Sequence, residues 1–67
     1  MDDLDIWRAA TLWIKSLGFT AAAFAAGHKS KELREQGDLA GAETWMKIES
    51  KIKELESIGY TPDAVKH

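Results

Sequence analysis

At 67 residues the chain has material for one small domain with a single core, and no room for a separate cofactor-binding unit. Apolar residues make up 45% and charged residues 30%, the balance of a globular chain rather than of a disordered tail or a fibrous repeat. Nine Lys and Arg against eleven Asp and Glu leave a net charge of -2, too small to steer the chain to nucleic acid or anionic membrane, and the absence of cysteine excludes a disulfide scaffold, thiol catalysis and thiolate zinc sites.

The opening Met1-Asp2-Asp3 is acidic where a secretory leader is basic, and Arg8 and Lys15 interrupt the first apolar stretch. Cytoplasmic residence is therefore expected. The small and apolar run from Leu17 to Gly27 is far shorter than the roughly 20 residues that span a bilayer, so no transmembrane helix is expected.

Ile6, Trp7, Ala10, Trp13, Ile14 and Leu17 fall within an arc of about 120° when successive residues are set about 100° apart. This spacing predicts a first helix over residues 3–17 with one dry face. Asp2, Asp3 and Asp5 stand where carboxylates meet the free N–H groups and the positive end of the helix dipole, and Gly18 suits a left-handed C-cap. Leu12 lies outside the arc, as a lone exposed leucine or as part of a second contact surface.

A second helix is predicted over 20–36, with Thr20 as N-cap, the helix formers Ala21 to Ala26, and Gly37 as the stop. Its amphipathicity is weak: Ala22, Ala25, Ala26 and Leu33 share a side with Lys29, and Phe24 points away from Leu33. Gly27-His28 marks a kink or a fray, since glycine inside a helix costs up to about 1 kcal/mol. The alanines let a neighbouring helix come close, with tryptophans filling the space between.

Gly37-Asp38 ends one helix and caps the next with almost no loop, which implies antiparallel neighbours. The third helix, over 38–58, carries Gly41, Trp45, Ile48, Ile52 and Leu55 at alternating spacings of four and three, a seam for another helix. Glu43 with Lys47 and Glu49 with Lys53 stand acid before base on its solvated side. After Gly59, Tyr60 folds back onto the bundle, and Thr61-Pro62 starts one more turn with Thr61 as cap. The expected fold class is all-α: a small three-helix bundle or helical hairpin, alone or completed by dimerisation.

Reactive equipment is sparse. His28 and Glu32 stand one turn apart, as in a histidine oriented by a carboxylate, but no nucleophile accompanies them, and the plainer reading is a solvated surface pair. Two such ligands fall short of the three or four of a stable metal site, and the aspartates at the start lack the loop glycine of an EF-hand. His67 is the last residue. The glycines are scattered singly, so there is neither a dinucleotide fingerprint nor a phosphate-binding loop. No catalytic residue, cofactor or metal is expected.

Two interaction readings remain. Trp7, Leu12, Trp13 and Met46 are the candidate partner-binding residues, since self-association and partner surfaces favour aromatics and methionine. The tryptophans also have the spacing of core residues. The alternative is a weak nucleic-acid accessory role for Lys29, Lys31 and Arg34, a brief basic cluster with Glu32 and Glu35 among it. A DNA-reading third helix is disfavoured by the mixed signs of Glu43, Lys47, Lys51 and Glu54.

Ile6-Trp7-Arg8-Ala9-Ala10 with Leu12, and Gly37-Asp38-Leu39-Ala40-Gly41-Ala42 with Trp45 and Ile48, resemble a group of short, uncharacterised alpha-proteobacterial proteins. That group opens on Leu/Ile-Trp-x-x-Ala and closes on Gly-Asp-x-Ala-Gly-x-x-x-Trp-x-x-Ile. The resemblance covers roughly residues 4 to 55; it implies a small helical fold in bacteria and carries over no functional residue. The expected function is a non-enzymatic module that binds itself or another protein.

Overall fold

A computed structural model of the protein describes residues 3–60. Three helices make up the fold: α1 (Asp3–Leu17), α2 (Phe19–Glu35) and α3 (Leu39–Ser57). They pack as a small all-α three-helix bundle. The turn expected at Thr61-Pro62, and the readings that involve Asp2 and His67, lie outside the described residues.

α1 spans the predicted residues; its link to α2 differs from the expectation. Gly18 alone joins the two helices, with its N–H donating to the Ile14 carbonyl at 2.7 Å and its carbonyl accepting from the Ala22 N–H at 2.9 Å. One residue thus closes one helix and opens the next. Its φ of 85° and ψ of 167° are not the left-handed C-cap conformation but an extended positive-φ region that essentially only glycine enters. Thr20 is consequently inside the first turn of α2 rather than its N-cap, and α2 begins without a side-chain cap.

α2 runs unbroken through Gly27-His28, so no fray occurs there. The space beside Gly27 explains its residue type: a Cβ there would stand 2.9 Å from Oε2 of Glu49. α2 ends on a Schellman motif, in which the Asp38 N–H donates to the Leu33 carbonyl at 2.9 Å and the Gly37 N–H to that of Arg34 at 3.0 Å. Gly37 adopts a φ of 87°. Asp38 then caps α3, its Oδ1 accepting from the Gly41 N–H at 2.9 Å. A Cβ on Gly41 would stand 2.5 Å from the other carboxylate oxygen, so Gly41 leaves room for the cap as well as belonging to the seam.

Open space surrounds the Cβ positions at both Gly18 and Gly37, so the backbone alone sets the cost of a side chain. Gly37→Ala, forced into the left-handed region, should lose about 1–2 kcal/mol. Gly18→Ala, in a region of higher cost for alanine, should lose up to about 3 kcal/mol. Urea midpoints of the two variants check this order.

The core consists of Ile6, Ala10 and Ile14 from α1, Ala22 and Ala26 from α2, and Ile48, Ile52 and Leu55 from α3. Three positions of the predicted α1 arc are buried, but Trp7 and Leu17 are exposed. Leu17 is the last residue before the chain turns at Gly18, where no neighbouring helix covers it. Trp7 stands at the arc's edge, with the Tyr60 ring edge-on to it at 6.2 Å. Tyr60 is brought back by a second Schellman motif, its N–H donating to the Leu55 carbonyl at 3.0 Å.

The tryptophans do not fill the interior. Trp13 and Trp45 are half-buried at its rim in an edge-to-face pair, with centroids 5.1 Å apart at 66°. The largest fully buried side chains are Ile48 and Ile52. Close approach of α2 and α3 is the physical reason. Ser30, one turn beyond Ala26, is buried and donates from its hydroxyl to the Ala42 carbonyl at 2.8 Å. So short a side chain reaches the backbone of the next helix only when the two lie too close for an indole between them.

Candidate functional site

Eight large apolar side chains remain exposed among the described residues: Leu4, Trp7, Leu12, Leu17, Phe24, Leu39, Met46 and Ile58. Of the four candidate partner-binding residues, Leu12 at 62%, Met46 at 45% and Trp7 at 41% exposure are open to solvent. Trp13 is half-buried against Trp45. The four do not form one patch. Five residues of helix separate Trp7 from Leu12, which sets them about 140° apart around α1.

Met46 stands instead beside two other elements. It lines an open groove of about 330 Å³ that runs along α3 past Lys47 and Ser50 to Asp3 and Ile6 of α1. Its sulfur also accepts from Nη2 of Arg34 at 2.8 Å. The structure thus joins a residue of the partner-binding set to one of the basic cluster, a pairing that linear sequence does not display because the α2–α3 turn and the first two turns of α3 lie between them.

The basic cluster is divided. Lys29, Lys31 and Arg34 are all exposed, but Lys29 turns to Glu32, with Nζ 3.7 Å from its carboxylate, and Arg34 turns to Met46. Glu32 therefore pairs with Lys29 rather than with His28. On α3 the pair Glu49 and Lys53 forms at 3.4 Å, while Lys51 reaches Glu54 at 3.0 Å. Among the described residues no group of three or more His, Asp or Glu side chains is placed to hold a metal ion. No helix there is long and apolar enough to cross a membrane.

A second open groove, of about 340 Å³, lies between Phe24, His28 and Lys31 on α2 and Glu49 on α3, with Gly27 as its floor. Phe24 is 77% exposed, more than any other large apolar residue described. The sequence places His28 and Lys31 in other candidate groups and does not join them to Phe24, Gly27 and Glu49. The signals were an isolated phenylalanine on the polar side of α2 and a glycine within a helix, each of which reads singly as a flaw.

No protein-family model matches this chain, and no curated protein or solved structure matches it either.

Proposed function

We propose that this chain is a non-enzymatic interaction module that binds itself or another protein, acting in the cytoplasm. The observation that carries this reading is the division of its apolar side chains. The centre is made of isoleucine, leucine and alanine, while Trp7, Leu12, Phe24 and Met46 stand at the surface, and aromatics and methionine are enriched in protein interfaces relative to the rest of a surface. The resemblance to short alpha-proteobacterial helical proteins supports a bacterial setting for it.

A nucleic-acid accessory role is the second reading. Exposed Lys31 and Arg34 favour it, but the pairing of Lys29 with Glu32 leaves less free positive charge than three basic residues suggest.

Two measurements separate the readings. Light scattering behind size exclusion should detect self-association, and a native-host pull-down should retain a protein that Leu12→Glu or Met46→Glu releases without a change in helical content. A chain that stays monomeric, and retains nothing that these variants release, overturns the interaction reading. Binding of duplex or single-stranded oligonucleotide that persists at physiological salt, and is lost on reversing Lys29, Lys31 and Arg34 together, establishes the second in its place.

A further inference from the structure

Resting on the reading of this chain as an interaction module, we propose that the outer face of α2 pairs with the same face of a second copy of this chain. Thr20, Phe24, Gly27, His28, Lys31 and Glu35 occupy an arc of about 100° on the helix. All but half-buried Gly27 are exposed. Their positions are symmetric about the Gly27-His28 peptide: Thr20 balances Glu35, Phe24 balances Lys31, and Gly27 balances His28. An antiparallel pairing across a two-fold axis at that peptide therefore sets Phe24 opposite Lys31 and Thr20 opposite Glu35, each match made twice as in an isologous interface.

The two outer matches are chemically complementary. Phe24 of one copy meets Lys31 of the other, an apolar ring under an ammonium group. His28 of one copy lies beside His28 of the other at the axis, and Gly27, beneath the Glu49 carboxylate of its own copy, lies on the opposite flank. Glu35 of one copy meets the N-terminal turn of α2 in the other, which begins without a side-chain cap and has no acidic residue in its first turn. A carboxylate there satisfies free N–H groups and the positive end of the dipole. Among the described residues neither Lys31 nor Glu35 has an ion-pair partner within the chain. The hollow of about 340 Å³ beside Phe24 gives an incoming side chain its place.

The chain has no cysteine, so one introduced thiol reports the axis directly. His28→Cys should cross-link to a dimer under mild oxidation, because residues at the axis come within the roughly 7 Å that a disulfide tolerates between Cα atoms. Leu12→Cys on α1 should not. Phe24→Ala, at a solvent-exposed position, should weaken dimerisation by about tenfold or more in light scattering with melting of the dilute monomer unchanged. A wild-type chain that stays monomeric at every concentration overturns the proposal and leaves the module a different protein as partner. A dimer that Phe24→Ala does not weaken, or that cross-links through Leu12→Cys instead of His28→Cys, also overturns it while self-association stands.

Discussion

Ile52→Ala should leave the chain mostly unfolded near room temperature. Ile52 has no exposed surface and, with Ile48, is the largest side chain to be fully buried. Removing three carbons there loses their transfer free energy and leaves a cavity in the core, at a cost of about 2–5 kcal/mol. A single core in a chain this short supplies only about 3–5 kcal/mol of net stability. The loss therefore consumes most or all of it. Ile58→Ala removes the same carbons at a position that is 69% exposed, and should shift stability by no more than about 0.5 kcal/mol. Far-UV circular dichroism of the two variants against urea tests the contrast, and comparable losses in both would refute the assignment of the core.

Ala26→Leu should be the second most damaging change, by the opposite mechanism. Ala26 is fully buried, and one turn further along α2 the Ser30 hydroxyl reaches the Ala42 carbonyl at 2.8 Å. Larger volume at residue 26 forces the packed helices apart, so the strain of overpacking, about 1–3 kcal/mol, is joined by loss of that buried hydrogen bond, worth about 1 kcal/mol. Leucine and alanine differ little in helix propensity. Ala21→Leu, one turn earlier on the exposed side of α2, isolates that small difference. Thermal melting should show a large fall for Ala26→Leu and almost none for Ala21→Leu, with equal falls counting against close helix packing.

Both predictions depend on a feature that periodicity conveyed only in part. The repeat of Ile48, Ile52 and Leu55 is visible in the sequence because those residues follow the helical period on one side of α3, and the same holds for Ile6, Ala10 and Ile14 on α1. The contact face of α2 is not apolar in the usual sense. It is small, and Ser30 belongs to it although serine reads as a surface residue. Hydropathy weighs each side chain by its affinity for water, whereas this interface selects by volume and by a single hydrogen bond to a backbone carbonyl. The candidate partner-binding residues suffered from the same blindness. Trp7 and Trp13 are alike as letters, yet one has Tyr60 at its edge and water beyond, and the other lies between the core and Trp45.

The sequence alone determined what local backbone chemistry decides: three helices, their ends at Gly18, Gly37 and Gly59, the Asp38 cap, and the side of α3 that turns inward. These depend on residues within a turn of one another, where propensity, capping and period act without regard to the remainder of the chain. Only the tertiary structure decided that the indoles stand at the rim, that Ser30 ties α2 to α3, that Arg34 and Met46 meet, and that Gly27 lies under the Glu49 carboxylate. Those outcomes depend on the distance between helix axes, which is set by the volumes of all facing side chains together.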